Sequence, residues 1–187
     1  MRIRHHASLG LAATACLVLS GCTNAADWNA NRSSQIHSFD TSSIQAQPDI
    51  IAKLPQGALE DGVLDVAAST DYAPAEFLDP SGNPVGYDVD LTNAIAAVLG
   101  VKGKVHTAEF DSIIASIGSK YDAGISSFTV TPERTAEVDM TAYINVGSRF
   151  NVQAGNPKGV ETSDRLKLCG RTIGVQVGTA QETTMRD

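Results

Sequence analysis

The stretch Gly124-Ile125-Ser126-Ser127-Phe128-Thr129-Val130-Thr131-Pro132-Glu133-Arg134 decides how the rest of the chain is read. Its first half is small, β-branched and apolar, the composition of a buried strand. Its second half is a helix start. Thr131 is a good N-cap, Pro132 suits the first helical position, and Glu133 faces the positive end of the helix dipole. A strand that runs into a helix leaves backbone N–H groups pointing outward, and these attract anions. Thr129 adds a hydroxyl, and Arg134 adds a planar fork of donors matched to a carboxylate. In open α/β sheets the ligand crevice lies at the carboxyl ends of the strands. The stretch has the chemistry of a carboxylate receptor. The plain alternative is a strand–helix junction with a solvated Arg134.

Outward from this stretch, strand and helix patterns alternate. Val63 to Ala68 predicts a strand, and the turn chemistry of Asp79 to Pro84 predicts a hairpin tip. Asp90 to Leu99 predicts a helix with Leu91, Ile95, Val98 and Leu99 on its core face, closed by Gly100. Lys104 to Phe110 reads as a second strand. Asp111 then caps a helix that turns Ile113, Ile114 and Ile117 inward and ends at Gly118. Downstream, Val146 to Ala154 and Arg171 to Val177 read as strands, Ser163 to Leu168 as a short helix, and Thr179 as the start of another. This order implies an α/β fold with a mostly parallel sheet flanked by helices.

The N-terminus carries a basic start (Arg2, Arg4, His5, His6) and an apolar run, Leu9 to Leu19, too short for a comfortable membrane span. Leu19-Ser20-Gly21-Cys22 follows and resembles the lipobox of bacterial lipoproteins. This order predicts a signal peptide over 1–21, lipidation at Cys22, and a location on the extracytoplasmic face of the cell membrane. Residues 22–57, rich in Asn, Ser, Ala, Gln and Asp, read as a flexible tether, with a short helix near Asp49–Leu54.

The formal net charge of −7 argues against a nucleic-acid partner, and removal of residues 1–21 makes the chain two charges more negative. Of three cysteines, Cys16 leaves with the signal and Cys22 takes lipid, so Cys169 is the odd one in an oxidising compartment. It is expected to pair with a cysteine beyond Asp187. No CxxC or Cys/His cluster is present, so neither a zinc site nor a cofactor is expected.

Gly86-Tyr87-Asp88-Val89-Asp90-Leu91-Thr92-Asn93-Ala94-Ile95-Ala96 is the most specific string in the chain. Asp88 and Asp90 fall where a helix start favours negative charge, so capping accounts for both; an acid/base or metal pair is the alternative. The string is similar to the signature of the bacterial extracellular solute-binding proteins of family 3, the amino-acid receptors of ABC importers. Ser69 to Phe77 resembles the family's first binding loop, Phe110 to Ile114 its second aromatic site, Ser127 to Arg134 its carboxylate clamp, and Gln176 to Gln181 the ligand loop of its second lobe.

The resemblance implies a two-lobe fold of the type II periplasmic-binding class, with residues 58–154 as lobe one and 155–187 as the hinge exit and the start of lobe two. The chain then reads as the N-terminal part of such a receptor. The resemblance also implies roles. Tyr72 and Phe110 hold the ligand side chain, Ser127 offers backbone groups beside Phe128, and Thr129 and Arg134 bind the charged ends. Gly178 and Thr179 present N–H and hydroxyl from the opposing helix start. The implied partners are a polar amino acid and permease subunits, and the implied state is monomeric, with no catalytic residue. Ala75 stands where an aromatic is common, which opens one wall. Ser69 stands where receptors for cationic ligands have Asp; Asp71 is placed to compensate. An enzyme on the same scaffold would need an acid/base pair, for which Asp71 and Glu76 are the nearby acids. A ligand-sensing domain is the third reading.

Overall fold

A computed structural model describes residues 38–186. The signal segment and Cys22 lie outside the described residues. Strand β1 (Val63–Ala68) is the centre of a three-stranded parallel sheet, with β5 (Lys102–Thr107) on one side and β6 (Ala123–Gly124) on the other. The register runs from Val63 opposite Lys102 to Ala68 opposite Thr107, and from Val66 opposite Ala123 to Ala67 opposite Gly124. Between β1 and β5 the chain makes a small antiparallel sheet of β2 (Asp71–Tyr72), β3 (Glu76–Leu78) and β4 (Pro84–Val85), whose tip is the expected turn. There Asp79 Oδ1 accepts the N–H groups of Ser81 and Asn83, both at 2.8 Å.

β1 is buried on both faces, as a central parallel strand must be. Leu64 and Val66 pack with Ala96 of helix α2 (Tyr87–Leu99; helix α1 is Pro48–Ile51). On the other face Ala67 packs with Ile113, from helix α3 (Phe110–Ser116), and with Tyr121. The contact with α3 is close enough that a Cβ on Gly124 would lie 2.6 Å from Ile113 Cγ2.

Helix α2 begins at Tyr87, three residues ahead of the expected start, and buries a different face from the one expected. Asp88, Val89, Thr92 and Ala96 are buried, while Ile95 is 42% exposed. The reason is proximity. A Cβ on Gly103 of β5 would stand 3.3 Å from Ala96 Cβ, so only small side chains fit between helix and sheet. Gly100 closes α2 in the left-handed conformation, φ +71°, as expected. α3 starts at Phe110, and β5 ends at Thr107 rather than Phe110. No side chain caps α3, so Asp111 lies inside the helix instead of capping it.

Residues 38–57 do more than link. Gln47 N–H donates to the Val98 carbonyl (2.8 Å) and Phe39 N–H to Asp90 Oδ2 (2.9 Å), so this segment lies along α2.

Beyond Thr131 the structure departs further from the expected pattern. Helix α4 (Pro132–Thr135) has its cap at Thr131, whose hydroxyl accepts Arg134 N–H at 3.4 Å. The strands expected over 146–154 and 171–177 do not form; Val146, Val152 and Val177 are 66%, 47% and 61% exposed. A strand needs a neighbour for its backbone groups, and no strand of the described residues runs beside these segments. The short helix near Ser163–Leu168 is a 3-10 turn, Arg165–Leu168, and the last helix, α5, is Ala180–Arg186. Cys169 is exposed and makes no disulfide among the described residues.

Candidate ligand-binding site

The three parallel strands end at Ala68, Thr107 and Gly124, and the residues singled out in the sequence follow those ends. The stretch from Gly124 to Val130 is not one long strand. The ladder stops after Ile125 N–H donates to the Ala67 carbonyl (3.0 Å). Ser126 then turns its hydroxyl inward, where it accepts Ser69 N–H (3.0 Å), and Ser127 takes φ +50°, in the left-handed region. That conformation is costly for a residue with a Cβ, and such positions concentrate at functional turns. The turn directs Phe128 against Phe110, with ring centroids 4.5 Å apart and planes 28° apart.

Arg134 reaches back from α4 over this pair, its guanidinium carbon 5.6 Å from the Phe110 centroid and 5.3 Å from that of Phe128. Its fork is in use. One Nη donates to the Thr129 carbonyl (2.7 Å) and the other to the Gly178 carbonyl (2.8 Å). Partial burial lowers its pKa, although a guanidinium remains charged at any physiological pH. Gly178 has φ +78°, and a Cβ there would stand 2.7 Å from Asp111 Cβ, so only glycine brings this loop against α3.

Phe110, Phe128, Arg134 and Gly178 thus line one cleft of about 350 Å³ with Asp111, Ile114, Ala115, Glu133 and Glu137. Its walls are aromatic and its rim is acidic around a single arginine. Such a cleft can take an organic cation against the rings and acids, and a carboxylate at Arg134.

The other expected residues sit differently. Thr129 contributes its carbonyl to Arg134. Ser127 hydroxyl points to Asp88 Oδ2 at 3.5 Å. Tyr72 is in β2, 55% exposed, and does not line the cleft. Thr179 caps α5: its hydroxyl donates to the Gln176 carbonyl (2.8 Å) and accepts Glu182 N–H (3.1 Å). Gly178 N–H, one residue before the cap, donates to Glu182 Oε2 (2.7 Å), so Glu182 reaches back over this helix start.

Residues outside that set hold the site together. Ser69 hydroxyl donates to Asp71 Oδ1 (2.9 Å) and accepts Gln176 Nε2 (3.3 Å), tying the end of β1 to the loop before α5. Ser126 hydroxyl donates to Glu76 Oε1 (2.5 Å), and Tyr143 Oη donates to Asp88 Oδ2 (2.8 Å). Of these, Ser69 is the small polar residue directly after a strand, and Ser126 stands two residues past the end of β6. Asp88 and Asp90 make no side-chain cap to α2, so capping does not account for them. The free N–H groups of Tyr87 and Asp88 go instead to the carbonyls of Pro74 (3.3 Å) and Ala75 (2.9 Å).

Comparison with known proteins places the chain in a family. The model of the bacterial extracellular solute-binding proteins, family 3, matches residues 64–184. The arginine-binding protein ArgT of Corynebacterium glutamicum is 31% identical over 179 residues, covering 95% of this chain and 56% of that protein. The L-cystine-binding protein TcyJ of Escherichia coli K12 is 33% identical over 129 residues, 68% of this chain and 48% of that protein. Among solved structures, the arginine-bound form of truncated ArgBP from T. maritima is 34% identical, with a TM-score of 0.57, over 67% of this chain and 59% of that one. The chain spans about half the length of the curated relatives it matches. It has the mixed α/β architecture of the two-lobe periplasmic amino-acid-binding proteins, and it belongs to the bacterial extracellular solute-binding proteins of family 3.

Proposed function

We propose that the protein is the substrate-binding lipoprotein of an ABC importer, which takes a polar amino acid between two lobes and passes it to a permease. The observation that carries this reading is the convergence of Phe110, Phe128, Arg134 and Gly178 on one cleft past the carboxyl ends of the sheet. Arg134 exchanges its contact with the Gly178 carbonyl for the ligand carboxylate, while the ring pair and the acids Asp111, Glu133 and Glu137 face a cationic side chain. Names among the relatives support arginine as the first ligand to test. Asp71, beside Ser69, supplies a carboxylate where Ser69 has none. Glu76 is fully buried, which removes it as the partner of Asp71 in an acid/base pair that reaches substrate.

Replacing Arg134 by Ala removes a charge-assisted bond of about 1.5–3 kcal/mol, so arginine affinity should fall roughly ten- to a hundred-fold. Calorimetric titration with the fold checked by circular dichroism reads this, and a change under about two-fold would sink the role of Arg134.

The membrane anchor rests on the order of basic start, apolar run and Leu19-Ser20-Gly21-Cys22. Expressed in a bacterium, the wild type should take up labelled fatty acid and sediment with membranes, and Cys22→Ser should take up none. Equal labelling of the two would dispose of the anchor.

A further inference from the structure

Glu76 and Asp88 are the two acids with fully buried side chains among the described residues, and neither lines the cleft. The N-terminal turn of α2 brings them together. Tyr87 and Asp88 donate their N–H groups to the Pro74 and Ala75 carbonyls, and Glu76 follows in β3. Each carboxyl group has one oxygen served by hydroxyls, Ser126 on Glu76 Oε1 and Tyr143, with Ser127 farther off, on Asp88 Oδ2. Each also has a second oxygen, Glu76 Oε2 and Asp88 Oδ1, that is shut off from solvent and has no donor. The two carboxyl groups lie within hydrogen-bonding reach of one another.

Two orphan acceptors in contact need one donor. A buried acceptor without a donor costs its full desolvation, and two adjacent carboxylates away from water do not both ionise. The groups around the pair cannot neutralise it: Ser126, Ser127 and Tyr143 offer neutral hydroxyls, and Asp71 adds a third acid. We propose that Glu76 holds its proton at neutral pH and donates it to Asp88, and that this hydrogen bond pins the turn at Ser126–Ser127 and the segment at Tyr143 to the start of α2. The pair are positioning residues. Glu76 holds Ser126, which holds Ser69 N–H, and Ser69 holds Asp71 and Gln176. The inference stands on the fold and does not depend on the ligand.

The direction of the pH dependence follows. Burial is the main cause that raises Glu76 from 4.5 to about 8; the Ser126 hydrogen bond opposes it, and Asp88 and then Asp71 add to it. A carboxyl group raised in the fold binds its proton on folding. Its contribution is fully present below the unfolded value of 4.5, is lost as pH rises through about 8, and is level beyond.

Glu76→Gln replaces the Glu76 proton by an amide N–H directed at Asp88 and keeps an oxygen for Ser126, so it holds the protonated geometry at every pH. Thermal and urea unfolding of the full chain and of Glu76→Gln are compared from about pH 5 to about pH 9. The folded-to-unfolded ratio of the wild type should fall with pH by up to about tenfold per unit more than that of the variant, until the two slopes meet near pH 8. Infrared spectra of the folded wild type at pH 7 should hold the carbonyl band of a protonated carboxylic acid, which fades as pH passes about 8 and is missing in Glu76→Gln. Parallel pH profiles for the two proteins would overturn the proposal. Should Glu76→Gln fail to fold, the wild-type spectrum decides alone, and absence of the protonated band at pH 7 would overturn it.

Discussion

At the scale of single residues, backbone geometry does as much as side-chain chemistry. Gly86 has φ +123°, and a Cβ there would lie 2.2 Å from the Ala75 carbonyl oxygen and 2.7 Å from that of Pro74. The opening glycine of the signature string is therefore a docking requirement: without it, α2 cannot offer its first N–H groups to those carbonyls. Gly86→Ala combines an unfavourable φ with a backbone clash that no rotamer relieves, and should cost about 2–4 kcal/mol in urea unfolding. A loss under about 0.5 kcal/mol would show that the helix start shifts freely. Arg134 is the opposite case, since its donor fork was legible from its residue type alone. Its present partners, the Thr129 and Gly178 carbonyls, lie 5 and 44 residues away, and the second of these is a tertiary contact.

At the scale of elements, the sharpest contrast is between β6 and the stretches 146–154 and 171–177. The two later stretches hold valines that favour strands, whereas β6 is only Ala-Gly. Only Ala123–Gly124 joins a ladder, because only there does the chain pass beside β1. β-Propensity describes fitness for a half-buried pleated surface, and that surface must exist before the preference is expressed. Helix starts depend less on partners. Thr131 caps α4 and Thr179 caps α5 through bonds no longer than four residues in sequence, and both starts were readable from sequence. α2 is the exception that fits the rule: its start is held by Pro74 and Ala75, so its first turn escaped a reading by local signals.

At the scale of the whole molecule, burial is divided unevenly along the chain. Buried residues occur from Leu64 to Ser126 and nowhere later among the described residues. Opening free energies follow buried contacts, so amide exchange should be slow over 63–68, 89–99 and 102–125, and fast over 139–178. Hydrogen-exchange mass spectrometry of the chain checks this; comparable protection in the two regions would contradict the burial pattern. Gln176 and Gly178 are held to the protected part through Ser69 and Arg134. A ligand that engages Arg134 acts at one of those two ties, which is where lobe movement couples to binding in the proposed function.

What the sequence determined by itself was whatever depends on neighbours a few residues apart. The hairpin turn at Asp79, the left-handed close at Gly100, the caps at Thr131 and Thr179 and the apolar β1 are all set by local backbone and side-chain chemistry. The ordered motifs from Ser69 to Gln181 also placed the chain in its family. Only the tertiary structure decided which face of α2 is buried, since that turns on how closely Gly103 lets the helix approach. It alone put Phe110 against Phe128, closed the fork of Arg134 on Gly178, and brought Glu76 to Asp88. Each of these joins residues 12 or more apart in sequence, and their meeting depends on the register of β5–β1–β6 and the docking of α2, which no local pattern encodes.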